Sequence, residues 1–126
     1  MSFDWQLYIS LAEELLKLPQ KRIPEEACFR SAISRSYYGV FGIARNFLIK
    51  KGISIPPIDT HKFVREQYKK SSNKIERKIG EYLGQLWKDR KDSDYKDTAS
   101  IDIKRTTTAI DLSKRVLESL REIGAM

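Results

Sequence analysis

The stretch Ile75-Glu76-Arg77-Lys78-Ile79-Gly80-Glu81-Tyr82-Leu83-Gly84-Gln85-Leu86-Trp87-Lys88-Asp89-Arg90-Lys91-Asp92-Ser93-Asp94-Tyr95 sets its apolar side chains at a helical period. Ile75, Ile79, Tyr82, Leu83, Leu86 and Trp87 recur at steps of three and four, the spacing that puts them on one buried helix face. Arg90 continues the series, so an arginine follows the core-facing side. A guanidinium in that position asks for an anion, either a neighbouring carboxylate or a phosphate brought in from outside. The segment Lys91 to Asp97 is too rich in Asp and Ser to favour a helix, because such side chains compete for the backbone's hydrogen bonds. This helix is therefore expected to end near Arg90.

The same period extends to both sides. A first helix is predicted from Asp4 to Leu18, with Leu7, Leu11, Leu15 and Leu18 on one face and Pro19 closing it. A long second helix begins near Pro24, whose fixed φ suits a first turn, with Glu25 and Glu26 complementing the positive end of the dipole. Phe29, Ile33, Tyr37, Val40, Phe41, Ala44 and Leu48 supply its buried stripe, and Lys50 and Lys51 before Gly52 form a basic last turn and C-cap. Gly39 and Gly42 allow another helix to approach closely. A turn with Pro56 and Pro57 leads to a short helix capped by Thr60 and running to about Lys70. Ser71 or Ser72 caps the helix already described. A final helix starts at Thr98 or Ser100 and runs to about Ile123, with Ile103, Ile110, Leu117 and Leu120 inward. With no alternating strand pattern and no internal repeat, the expected fold is all-α: an antiparallel bundle of four to five helices.

The chain has 126 residues, 40% hydrophobic and 33% charged, the size and composition of one soluble domain spanning residues 1–126. No apolar run approaches the roughly 20 residues that span a bilayer, and Asp4, Glu13 and Glu14 do not fit a secretory signal, so no membrane contact and a cytoplasmic location are expected. The single cysteine, Cys28, excludes a disulfide framework and a cysteine-rich zinc site, and is expected to be a small buried residue.

The net charge of +7 is unevenly spread. From His61 to Lys91 there are ten basic residues against four acidic ones, a local excess of six. Such a surface concentrates polyanions, which makes RNA, DNA or an acidic protein the expected partner class. Common catalytic constellations are absent: there is no Gly-rich phosphate loop and no His-Glu-x-x-His helix, and His61 is the one histidine. Lying outside the polar run, His61 is expected to cap a helix or sit on the surface. Asp92, Asp94 and Asp97 lack the spacing and glycine of a calcium loop, so neither metal nor cofactor is expected.

Two segments together carry a resemblance. The second helix reads Phe29-Arg30-Ser31-Ala32-Ile33-Ser34-Arg35-Ser36-Tyr37-Tyr38-Gly39-Val40-Phe41, ending in Leu48-Ile49-Lys50-Lys51-Gly52, and the later run is Arg90 to Tyr95. In both the chain resembles HEPN-domain proteins of a small prokaryotic, toxin-like subgroup, over roughly Asp4 to Leu120. The resemblance implies an all-helical homodimer. In active members an arginine followed after four to six residues by histidine forms a metal-independent endoribonuclease site, the two subunits' motifs meeting at the interface. Such proteins act as toxins or in defence, often beside a nucleotidyltransferase antitoxin. Arg90 matches the family arginine, but the position five residues on is Tyr95 rather than histidine.

That departure matters because attack by a ribose 2′-hydroxyl needs a group that exchanges a proton near neutral pH. An unperturbed phenol titrates near ~10 and an imidazole near ~6.5. The residues expected to carry catalysis are Arg90, which suits the charge building on phosphorus, with Tyr95 and Asp94 as proton-handling groups. Lys91, Arg35 and Lys88 are expected to hold phosphate or RNA. The alternative is a catalytically silent module that binds a nucleotide, a nucleic acid or a nucleotidyltransferase partner.

Overall fold

The computed structural model describes residues 3–17 and 25–126, and their elements are all helical: α1 (Gln6–Lys17), α2 (Glu25–Lys50), α3 (Thr60–Lys69), α4 (Lys74–Tyr95) and α5 (Ile103–Glu122). Leu18, Pro19 and Pro24, expected to mark the α1–α2 connection, lie outside the described residues. None of the described helices is long and apolar enough to cross a membrane.

The predicted α2 stripe is buried throughout, from Phe29 through Ile33, Tyr37, Val40 and Phe41 to Leu48. Cys28, Ala32, Ser36 and Gly39 on other faces are buried as well, because α1, α3, α4 and α5 all pack against α2. The basic last turn ends at Gly52, whose φ of 88° lets the Gly52 and Ile53 amides reach back to the carbonyls of Ile49 and Leu48. At Gly42 a Cβ would stand 2.2 Å from Cδ2 of Trp5, so the absence of a side chain is what allows α1 to lie against α2.

α1 presents a different face from the one expected. Ile9 and Ala12 are its buried residues, while Leu7 and Leu11 are exposed. Both sets obey helical spacing, and the choice between them is made by α2, which offers Gly39 and Gly42 to Trp5 and Ile9. α5 differs in the same way at its start. Asp102 is its N-cap, accepting from the Arg105 amide at 2.8 Å, so Ile103 faces out and Ile101, before the helix, is buried instead. The short third helix forms as expected, but Asp59 rather than Thr60 is its N-cap residue; Thr60 is the first helical residue and its hydroxyl donates back to the Pro56 carbonyl.

The largest difference is at the end of α4, which continues past Arg90 to Tyr95. The carboxylates of Asp92 and Asp94 and the backbone carbonyls of the last turn are given partners by other elements, although the buried Ser93 hydroxyl has none. Arg105 of α5 donates to Asp89 Oδ1 (2.9 Å) and Asp92 Oδ2 (2.7 Å). Arg30 of α2 donates through Nη1 to the carbonyls of Asp92, Ser93 and Lys96, and through Nη2 to that of Ala99. A cation on the last carbonyls satisfies groups that a helix end otherwise leaves to water, and it complements the dipole. Asn73, rather than Ser71 or Ser72, caps the start of α4, accepting from the Glu76 amide at 3.0 Å.

Candidate active site

Because α4 stays helical to Tyr95, Arg90, Asp94 and Tyr95 occupy one turn and the next at its C-terminal end. Arg90 is 8% exposed. Its Nε lies 2.9 Å from Asp94 Oδ2, close enough for an ion pair but off the axis of a hydrogen bond. Nη2 donates to the Tyr95 hydroxyl at 3.3 Å. The guanidinium carbon stands 5.0 to 5.1 Å from the ring centroids of Tyr38, Trp87 and Tyr95, so three aromatic rings surround the charge at cation–π distance. Asp94 Oδ2 also accepts from the Ser34 hydroxyl at 3.1 Å, which ties the site to α2. Tyr95, at 71% exposed, forms the outer edge.

The three residues expected to carry catalysis are thus brought together. The phosphate-binding expectations are distributed differently. Lys91 stands with its Nζ 5.7 Å from the Trp87 ring, beside the Arg90 cluster. Lys88 shares the face of Asp92, whose carboxyl is held below its usual range chiefly by the hydrogen bond from Arg105. Arg35 lies over the Tyr8 ring of α1 at 5.2 Å and remains exposed. Asp92 and Asp94 each belong to a different arginine, and no group of three or more His, Cys, Asp or Glu side chains able to hold a metal occurs among the described residues.

His61 is the functional candidate that sequence reasoning placed elsewhere. It neither caps nor lies free on the surface. Its ring is sandwiched between Phe41 (4.2 Å, 25°) and Trp87 (4.6 Å, 23°), and Nδ1 is 2.6 Å from the Tyr37 hydroxyl. Trp87 is therefore shared by His61 and Arg90. Burial, followed by the charges of Arg90, Arg65 and Arg45, pulls the imidazole down to about 4, so it is neutral at pH 7. The Tyr37 phenol moves the other way, raised by burial, and stays protonated. A buried phenol with this one partner donates its proton to Nδ1, which assigns the ring proton to Nε2. The signal available in the sequence was spacing: His61 sits one turn before Arg65 on a helix that must pack against the Trp87 face.

Chemically, the cluster is an arginine with its charge partly answered by one carboxylate, beside an exposed phenol and a neutral imidazole. Arg65 and Lys91 join Arg90 around Trp87, so three cations and the Asp94 carboxylate gather about this ring. Against protein-family models, residues 5–123 match the one described as the HEPN domain. No curated protein matches the chain.

Proposed function

Since the chain belongs to the HEPN family, we propose that it acts on RNA as a metal-independent endoribonuclease of toxin or defence type, working as a homodimer with a composite site. The observation that carries this reading is Arg90, a buried guanidinium whose charge is answered, among the described residues, by Asp94 alone, set beside a phenol that reaches solvent. An incompletely paired arginine at the surface end of a helix is suited to the extra negative charge that gathers on phosphorus in the transition state.

The geometry supports a division of roles. Asp94 Oδ2 is occupied by Arg90 and Ser34, while Oδ1 has no hydrogen bond among the described residues. Oδ1 takes the proton of the attacking 2′-hydroxyl as the oxygen bonds to phosphorus. The oxygen of Tyr95 accepts from Arg90, so its own O–H points away from the guanidinium and donates to the departing 5′-oxygen as the P–O bond breaks. The products are a 2′,3′-cyclic phosphate end and a 5′-hydroxyl end, and the proton held by Asp94 passes through water to the Tyr95 phenolate, which restores both groups. In the dimer, the partner's copy of the motif faces the same phosphate, which supplies a second arginine.

The enclosure of Arg90 favours a second reading, in which the domain binds a nucleotide, a nucleic acid or a nucleotidyltransferase partner without cutting. Incubation of purified protein with total RNA in EDTA separates the two. Cleavage by wild type that is lost in Arg90→Ala and reduced in Tyr95→Phe supports the nuclease. RNA left intact by wild type overturns it in favour of the binding module. A nucleotidyltransferase gene beside this one would support the antitoxin pairing.

A further inference from the structure

On the α3 side of Trp87 lies a cavity of about 490 Å³, lined chiefly by Thr60, His61, Lys62, Arg65 and Trp87, with Asp59 as the one carboxylate on its wall. Arg65 is its anomaly. The side chain is partly buried, its guanidinium carbon is 5.5 Å from the Trp87 ring centroid, and Nη1 is shielded from solvent without a hydrogen-bond partner. Among the described residues neither Arg65 nor Lys62 has an ion pair. A shielded cation with an unfilled donor is unfavourable until an anion arrives to meet it. Beside it, His61 offers a third donor: Tyr37 occupies Nδ1, which leaves the proton on Nε2. Two cations, a neutral N–H donor and an opening large enough for a phosphate form a site of matched chemistry.

We propose that this cavity is a phosphate subsite, in which Arg65, Lys62 and the imidazole of His61 hold a phosphate of the RNA strand next to the one engaged at Arg90. The inference rests on the RNA-directed reading of the Arg90 site for the identity of its ligand. Trp87 joins the two subsites: Arg90 and Arg65 both contact its ring, at 5.1 and 5.5 Å. A strand crossing Trp87 meets both guanidiniums, and its position along the chain is set before the reacting phosphate is reached. The groups around the imidazole are Tyr37, Tyr38, Phe41 and Trp87, with the charges of Arg90, Arg65, Arg45, Lys62 and Asp59. A bound phosphate offsets the arginines' charge and makes the ring easier to protonate.

The test uses a short all-2′-deoxy oligonucleotide, which presents the phosphates but lacks the attacking hydroxyl. His61 is the only histidine, so its imidazole gives one unambiguous set of proton resonances. The expected result is that the oligonucleotide shifts those resonances and raises their titration midpoint. Arg65→Gln should abolish the shift and lower the salt slope of binding by about one. Lys62→Gln, at an exposed position, should lower that slope similarly and guards against a folding defect in the first variant. Binding of the oligonucleotide without any imidazole shift overturns the proposal, as does a shift produced by a nucleoside 5′-monophosphate but not by the oligonucleotide. If wild type cuts no RNA yet the oligonucleotide engages Arg65, the nuclease reading falls and the subsite stands. If wild type cuts RNA and Arg65→Gln leaves both KM and the imidazole shift unchanged, the subsite falls and the nuclease stands.

Discussion

Arg30→Ala tests whether the last turn of α4, and with it the geometry of Asp94 and Tyr95, depends on a side chain from α2. In the wild type Nη1 donates to the carbonyls of Asp92 (3.2 Å), Ser93 (3.0 Å) and Lys96 (3.2 Å), and Nη2 to that of Ala99 (2.8 Å). Truncation strips all four. The bond to Lys96 is exposed and water replaces it, but those to Asp92, Ser93 and Ala99 are partly buried. At about 1 kcal/mol for each of these, the loss is about 3 kcal/mol. With an unfolding entropy of about 2.1 cal/mol/K per residue over 126 residues, Tm should fall by about 11 °C. Circular dichroism melts measure the fall, and amide exchange locates it, since the Lys96 amide, bonded to the Asp92 carbonyl at 3.1 Å, should lose protection first. Arg30→Lys should recover part of the stability, because one ammonium cannot span carbonyls that a planar fork reaches together. A Tm within about 3 °C of wild type, with the Lys96 amide still protected, would refute the reasoning and make α4 self-sufficient to Tyr95.

His61 and Gly42 yield two more tests. The imidazole should titrate near 4 rather than at its ordinary 6.5, and Arg90→Gln should raise that midpoint, because the Arg90 charge is the largest cause after burial. Between these values the unfolded chain binds a proton that the folded one does not. Stability is therefore complete above pH 6.5, declines as pH falls towards 4, and changes no further through this group below that. With the ring only half buried, solvent screening reduces the effect to about 1–2 kcal/mol, measurable as a shift in urea midpoint between the two pH values. A flat midpoint over that range would contradict it. Gly42→Ala should destabilise by about 2–3 kcal/mol, because its Cβ would meet the Trp5 ring at 2.2 Å. Adding Trp5→Leu should restore part of the loss, and a tolerated Gly42→Ala would mean that α1 shifts freely on α2.

Helical content, the inward stripe of α2 and the core-facing position of Arg90 were all readable from the chain, because each depends on a period of 3.6 residues that local sequence carries. The juxtaposition of Arg90, Asp94 and Tyr95 was readable only as far as their spacing. The sequence predicted a loop where the structure has a helix, since the intrinsic preference of Asp92, Ser93 and Asp94 is a local quantity and their partners are not. Arg30 lies 62 residues before the Asp92 carbonyl it meets, and Arg105 lies 13 residues beyond Asp92 on another helix. Two faces of α1 satisfied the same helical period, and only the glycines of α2 chose between them. His61 gave no local sign of its setting either, because a histidine becomes a low-pKa group in an aromatic stack only when Phe41, Trp87 and three arginines close around it. By itself the sequence determined that the fold is helical, roughly where its five helices lie, and that an arginine faces inward. Tertiary structure decided where α4 stops, which side of α1 is buried and which groups surround Arg90, because those depend on partners that are distant along the chain and supplied by packing.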